Sequence, residues 1–329
     1  MPSRVIDDRL FDLASYARLG PGRREHLTPA QTQQIARTVG RTPEVMVKVL
    51  PRGANDLGTV RRHLDYIGRN GDVDLETDEG EILRDARMGK HLVDDWDLEF
   101  DSYRSRSDLV SKPRKQAPRL VHKLMFSMPA GTPPDKVLKA VQNFCREEFA
   151  LQHRYAMALH TDEPHPHVHV VLKAMSEQGK RLNIRKATLR HWRAEFARHL
   201  RALGVPANAT PKYVRGETTP RKSDRIYRAS LRGESTHMRE RAEVMARDLS
   251  RGTIRLEPGK AKLMETRDNV RHAWSTVSEI LIRDNQPDLA DQVRRFAEQM
   301  PPPMTEREWL ARKLVERLHT PRTREGPSR

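Results

Sequence analysis

The stretch HTDEPHPHVHVVLKA, residues 160–174, places four histidines within ten residues and then continues into an apolar run. RYAMALH before it and HVHVVLKA within it are typical of strands, and TDEPHP between them is typical of a turn. We therefore predict a hairpin. Residues two apart on a strand share a face and lie about 6.7 Å apart. His167 and His169 are thus placed to share one metal ion, with Val168 on the other face.

A third ligand has to come from neighbouring backbone. His160 ends the first strand, so an antiparallel hairpin brings it beside the histidine pair, and His165 in the turn is the alternative. Asp162 is a candidate to orient an imidazole or accept a proton, and Glu163 to do the same or approach the ion. Three imidazole nitrogens leave positions open for a substrate oxygen. Imidazole ligands suit Zn, Mn, Fe, Co or Ni, and the spacing does not choose among them. The competing interpretation is a surface hairpin that happens to be rich in histidine.

Hydrophobic periodicity on both sides of the hairpin predicts further strands and helices. Two more strands are EVMVKVLP and RLVHKLMFSMP, and three helices are predicted at 57–71, 134–150 and 186–204. The polar residues 72–118 are predicted to be loop, with a short helix near GKHLVDDW. This order is typical of an α+β fold in which helices pack on an antiparallel sheet.

Changes in composition divide the chain into three predicted regions. Residues 1–42 form an N-terminal extension that is partly helical, through TPAQTQQIARTVG. Residues 43–215 form the α+β domain that contains the hairpin. Residues 216–329 form a helical region with a disordered tail, its helices predicted in STHMRERAEVMARDLS, AKLMETRDNVRHAWSTVSEILIRD and EREWLARKLVERL.

The charge indicates a polyanionic partner. The chain has 61 Lys and Arg against 45 Asp and Glu, a formal net charge of +16. Arginine dominates the basic residues and grips phosphate with two donors, which suits nucleic acid. The predicted helix RHWRAEFARHLR offers four arginines for a DNA backbone, although a solvated helix face explains them equally well: Arg190, Arg193, Arg198 and Arg201.

Several classes of protein are disfavoured. The single cysteine, Cys145, excludes a disulfide within the chain and a cysteine-based metal cluster, and its apolar surroundings predict a buried, inert thiol. No run of 18 apolar residues occurs and the first 30 residues lack a signal-peptide core, so we expect no membrane insertion and a cytoplasmic location.

The histidine stretch resembles the metal motif of conjugative relaxases, the nickases whose active-site strand reads histidine–hydrophobe–histidine. It is most similar to the VirD2 and mobilisation-protein branch, whose motif H-x-D followed by Pro-His-x-His is matched in order by His160, Asp162, Pro166, His167 and His169. Other segments resemble that branch in the same order, namely VMVKVLPRGANDLGTVRRHLDYIGRNG, HKLMFSMPAGT and LRHWRAEFARHLRALGVPANAT. The resemblance covers about 43–215.

The resemblance implies a palm-like α+β catalytic domain, a divalent metal ion, Mg or Mn above others, and a nucleophilic tyrosine. Tyr66 falls on that place, although without the resemblance it reads as an amphipathic surface residue. The implied reaction nicks a single strand at a transfer origin and leaves a 5′-phosphotyrosyl end and a free 3′-hydroxyl. Accessory relaxosome proteins and a type IV secretion coupling protein are implied partners, as is delivery of the DNA-bound protein to a recipient cell.

Three other functions fit parts of the sequence. A rolling-circle replication initiator uses a similar two-histidine strand. A metal-dependent hydrolase would activate water and form no covalent intermediate. A DNA-binding protein without activity would use its histidines only to stabilise the fold.

Overall fold

The computed structural model describes residues 26–50, 55–103, 118–217, 257–309 and 311–312, with scattered positions between 236 and 251. The chain divides into two compact units, Arg41–Ala209 and the combination of Met1–Gly40 with Thr210–Arg329. Each unit is described by itself. The three regions drawn from the sequence remain a prediction.

Six strands of the first unit form one antiparallel sheet in the order β1-β4-β6-β5-β2-β3. The strands are β1 Met46–Leu50, β2 Leu75–Thr77, β3 Ile82–Leu83, β4 Val121–Ser127, β5 Tyr155–His160 and β6 His167–Lys173. The predicted α+β fold is confirmed. The prediction of loop for 72–118 was wrong at β2 and β3, which extend the sheet past β5, because strands of two and three residues are too short to show alternation.

Seven α-helices have bounds within the described residues, four in the unit with the sheet and three in the other unit. They are α1 Pro29–Val39, α2 Leu57–Ile67, α3 Met88–Asp95, α4 Pro134–Phe149, α5 Lys186–Ala202, α6 Pro258–Arg283 and α7 Pro287–Glu298. Thr28 caps α1 through a reciprocal capping box with Gln31, and Asp56 caps α2 through the backbone of Thr59. The predicted turn at 52–54 and most of the helices predicted in 235–250 and 306–318 lie outside the described residues.

Each face of the sheet has its own apolar core. Helices α4 and α5 cover one face, where Val168, Val170 and Leu172 of β6 meet Phe144 and Phe196. Helices α2 and α3 cover part of the opposite face, which holds the alternate residues of β6. Because side chains alternate along a strand, His167 and His169 point to the α2 side.

The second unit is helical in its described part. Its core contains Ile35 of α1 together with Trp274 of α6 and Val293 of α7. The indole nitrogen of Trp274 donates a hydrogen bond to the carbonyl of Val214 at 2.9 Å. Helix α7 was not predicted from the sequence. Among the described residues, no helix combines the length and apolar character that crossing a membrane requires.

Candidate metal centre and nucleophile helix

Three histidines meet where β5 ends and β6 begins. His160 is the cross-strand partner of His167, and His169 lies one step further along the same face of β6. The nitrogen atoms available for ligation all lie within 4.8 Å of one another, and all three side chains are buried. The hairpin thus brings together the three residues that the sequence proposed as metal ligands, while His165 stays exposed in the turn.

Backbone carbonyls orient two of these imidazoles. His160 Nε2 donates to the carbonyl of Ile67 at 2.7 Å, and His167 Nδ1 donates to the carbonyl of His165 at 3.0 Å. Since a carbonyl only accepts, the other nitrogen of each neutral ring keeps its lone pair, as metal-binding histidines require. His169 Nδ1 is buried and has no hydrogen-bond partner in the described part of the chain. The donor set therefore fits a cation.

Burial keeps His160 and His169 neutral. It lowers the pKa of His169 to about 3, with further lowering from the neighbouring His160 and His167. Burial also lowers the pKa of His160, although the hydrogen bond to the Ile67 carbonyl acts in the opposite direction. These imidazoles are poor proton acceptors at neutral pH, so their lone pairs are free for a metal ion.

Tyr66 lies on the last turn of α2. Val60, Leu64 and Ile67 bury one side of this helix, so Tyr66 faces outward and is 54% exposed. Its ring stacks on that of His63 with centroids 6.2 Å apart, and His63 meets His169 edge-on, also at 6.2 Å. A row of rings thus connects the tyrosine to the histidine cluster, and the Ile67 carbonyl ties His160 to the same helical turn.

Asp162 binds an arginine rather than an imidazole. Its carboxylate accepts a hydrogen bond from Arg69 Nη2 at 2.5 Å, and the guanidinium lies 5.5 Å from the centre of the Tyr66 ring. Burial raises the pKa of Asp162, but its own backbone amide and Arg69 together hold it below the ordinary value. Glu163 is exposed in the turn. The catalytic roles of Asp162 and Glu163 remain predictions.

The four arginines suggested for DNA contact lie on α5, which packs on the face opposite the histidines. Arg190 is exposed, Arg193 donates to the Val47 carbonyl, and Arg201 donates to the Ala207 carbonyl. Glu147, Glu195 and His199 form a second group of side chains that could ligate a metal ion. Arg198 forms ion pairs with Glu147 at 2.6 Å and with Glu195 at 2.7 Å. Contacts within the protein already engage Arg193, Arg198 and Arg201. DNA binding by the four arginines therefore remains a prediction.

Sequence reasoning did not assign roles to three residues near the cluster. His63 stands three residues before Tyr66 on the same helix, a spacing that brings side chains to one face and was readable from the sequence. Arg69 lies beyond the end of α2, so no helical spacing indicates its position. Lys123 is a buried lysine in strand β4, VHKLMFS. Only the sheet register shows that it faces the histidine side.

The fold and site together match one class of protein. An antiparallel α+β sheet with a buried histidine triad beside a helix-borne tyrosine agrees with the relaxase type of nuclease. Residues 66–204 match the family model described as relaxase, MobA/VirD2-like, nuclease domain. The resemblance drawn from the sequence is confirmed, and this part of the chain is similar to a relaxase nuclease domain of that kind.

Two known proteins match parts of this chain. The T-DNA border endonuclease VirD2 of Rhizobium radiobacter is 26% identical over 137 residues, which are 39% of this chain and 31% of that protein. The chain thus covers about a third of the relative's length. A solved structure described as "Molecular Basis of Vancomycin Resistance Transfer in Staphylococcus aureus" covers 52% of this chain and 99% of its own, at 14% identity and a TM-score of 0.32.

Proposed function

We propose that this protein is a relaxase that nicks one DNA strand at a transfer origin and remains bound to it through Tyr66. The observation that supports this most directly is the row of rings from Tyr66 through His63 to His169. It places an exposed hydroxyl on the same side of the sheet as three convergent ligand nitrogens. The match of residues 66–204 to the relaxase nuclease domain agrees with this arrangement.

His160, His167 and His169 are the residues that would hold the metal ion. When bound, a divalent ion supplies Lewis-acid polarisation of a non-bridging phosphate oxygen. We propose Mg or Mn, and the all-imidazole donor set favours Mn of the two, because Mg prefers oxygen ligands. The His160 and His167 hydrogen bonds to carbonyls fix the ring orientations before any ion binds.

The chain's own residues carry out the transfer. Tyr66 oxygen attacks the phosphorus, a phosphorus–tyrosyl oxygen bond forms, and the bond from phosphorus to the 3′ oxygen breaks. The phenolic proton is released and the departing 3′ oxygen gains one, so the products are a 5′-phosphotyrosyl strand and a 3′-hydroxyl. Arg69 lies over the Tyr66 ring, with its guanidinium 5.5 Å from the ring centre, and packs against the nucleophile. Asp162 holds Arg69 in that position.

The wider role is part of the same proposal. The substrate is single-stranded DNA at a transfer origin, because a paired and stacked phosphodiester is out of reach of the tyrosine. Accessory relaxosome proteins and a secretion coupling protein are the proposed partners in conjugative transfer or mobilisation. Nicking takes place in the cytoplasm of the donor.

The test compares Tyr66→Phe with Tyr103→Phe, which alters another exposed tyrosine of the same unit. Labelled single-stranded oligonucleotides tiled across the DNA beside the gene are incubated with Mn²⁺ and run on a denaturing gel. Wild type and Tyr103→Phe should give a protease-sensitive covalent band, and Tyr66→Phe should give none, because only the hydroxyl can attack. Thermal unfolding of both variants should match wild type.

Two results would contradict the proposal. An adduct that persists in Tyr66→Phe would place the nucleophile elsewhere. Cleavage by every variant with no adduct in wild type would indicate a hydrolase that uses water.

A further inference from the structure

Lys123 is a buried cation on the histidine side of the sheet. It lies in the middle of β4, is 5% exposed, and pairs across the sheet with Val171 of β6. The next residue on that face, Met125, is the direct partner of His169. Lys123 is therefore a diagonal neighbour of His169, and such neighbours are about 7–8 Å apart, within the reach of a long side chain.

Lys123 lacks the counter-ion that a buried charge requires. In the described part of the chain, no hydrogen bond and no ion pair involves its ammonium group, and burial lowers its pKa. An unpaired buried charge is costly, and native proteins rarely keep one without a partner. Lys173 on the same face of β6 shows the usual solution: it is 8% exposed and pairs with Glu177 at 3.3 Å.

The groups around Lys123 are neutral or positive. The charge of Lys123 contributes, after burial, to lowering the pKa of His63 to about 4, so the two side chains are close. Arg69 acts on the neighbouring His169 and is already paired with Asp162 of the hairpin turn. No described carboxylate comes within ion-pair distance of Lys123. The arrangement attracts an anion to this part of the face.

The face next to Lys123 is accessible from β1. Lys48 of β1 is the partner of Met125 and is exposed, and Met46 at the same edge is 41% exposed. Helices α2 and α3 pack over β5 and over Val121 and Val171, and the core beneath them includes no residue of β1. An extended strand can therefore run from the histidine cluster across β4 towards β1.

We propose that Lys123 binds a backbone phosphate of the single strand next to the phosphate that Tyr66 attacks. This inference rests on the proposed nicking function. A compact ammonium group suits one phosphate oxygen as a point charge. The phosphate would supply the counter-ion that the protein does not provide. DNA binding would thereby offset the free-energy cost of burying the Lys123 ammonium group.

The experiment compares Lys123→Met with Lys173→Met, a matched pair of buried lysines on one face. The probe is a single-stranded oligonucleotide that wild type cleaves, and affinity is measured without metal over a range of salt. Lys123→Met should bind roughly tenfold more weakly, with a slope of log K against log salt smaller by about 0.7, the value for one phosphate contact on a single strand. Lys173→Met should keep the wild-type slope.

A set of oligonucleotides with one neutral methylphosphonate each then locates the contact. In wild type, one substitution beside the cleaved position should weaken binding, and in Lys123→Met the same substitution should have no further effect. Thermal unfolding gives an independent measure: Lys123→Met should raise the unfolding midpoint of the free protein, because it removes an unpaired buried charge, and Lys173→Met should not.

The outcomes separate this inference from the function on which it rests. If wild type cleaves no oligonucleotide and binds none with salt dependence, the proposed function fails. If wild type cleaves but Lys123→Met keeps its slope and its sensitivity to every methylphosphonate, only the role of Lys123 is refuted. A lowered unfolding midpoint with unchanged binding would likewise show that Lys123 is structural.

Discussion

At the scale of single residues, hydrogen bonds from imidazoles to backbone carbonyls determine which ring nitrogens can bind a metal ion. His160 and His167 both donate one N–H to a carbonyl, which leaves one lone pair per ring directed away from the backbone. His165 contributes only its carbonyl to this arrangement, so its side chain is a natural control for the three buried imidazoles.

Removing a ligand should reduce metal affinity. We expect His160→Ala, His167→Ala and His169→Ala each to weaken Mn²⁺ binding by more than about tenfold, since loss of even an orienting partner costs 10- to 100-fold. Isothermal titration calorimetry measures this directly. His165→Ala should bind as wild type does, and an equal loss there would show that the turn histidine is the third ligand.

His122 makes stability depend on pH. It lies on β4, facing α4 and α5, and donates to the Leu182 carbonyl at 3.2 Å. Burial, with repulsion from Arg119 and Arg181, lowers the pKa of His122 to about 4. The hydrogen bond to Leu182 acts in the opposite direction but is the weaker effect. Between about 6.5 and 4 the unfolded chain binds the proton more tightly, so stability falls as pH is lowered through that range.

His122→Gln should remove this part of the acid sensitivity, because glutamine does not titrate and can still donate to the carbonyl. From pH 7 to pH 5, the variant should lose roughly 2 kcal/mol less unfolding free energy than wild type, at about 1.4 kcal/mol per pH unit. Urea unfolding at the two pH values measures the difference. The exposed His91→Gln should behave as wild type, and equal losses in all three proteins would contradict the assignment.

At the scale of elements, the close approach of α2 and α3 positions Tyr66. Gly89 donates its backbone N–H to Asp65 Oδ1 at 2.8 Å, which caps α3 with a carboxylate from α2. A Cβ at Gly89 would clash with the Arg61 carbonyl and come within 2.6 Å of Asp65 Oδ1. The two helices can therefore be this close only with glycine at that position.

Gly89→Ala should push α3 from α2 and cost about 1–3 kcal/mol of stability. Nicking should fall by roughly 10- to 100-fold, because small displacements of a nucleophile are costly. Gly58→Ala, earlier in α2, meets only Arg62 and Asp56 atoms at 3.5 Å or more, so it should stabilise the helix slightly and leave nicking unchanged. A Gly89→Ala protein with wild-type stability would refute the packing argument.

At the scale of the whole molecule, the unit Arg41–Ala209 contains all the proposed site residues and has apolar cores on both faces of its sheet. Such a unit should fold alone. We expect the fragment 41–209 to unfold cooperatively and to nick an oligonucleotide at a rate close to that of the full chain, yet to support no DNA transfer between cells. Circular dichroism, cleavage and mating assays measure these properties. A folded fragment without nicking would show that the site needs more of the chain.

The histidine hairpin was predictable because its information is local. Alternation decides which side of β6 each side chain faces, and the short turn decides that His160 comes back beside His167. The main helices and strands were predictable for the same reason, since each is long enough to show its period. Strands β2 and β3 are too short to do so, and α7 was missed although its proline start is visible in the sequence.

Only the tertiary structure decided which residues of distant segments come into contact. The register of β4 against β6 turns Lys123 towards the histidines, and the packing of α2 brings His63 between Tyr66 and His169. The packing of α5 beside α4 engages Arg198 with Glu147. Local sequence pattern determines the face of each element, but which faces meet depends on how the elements pack to bury apolar surface, a property of the whole chain.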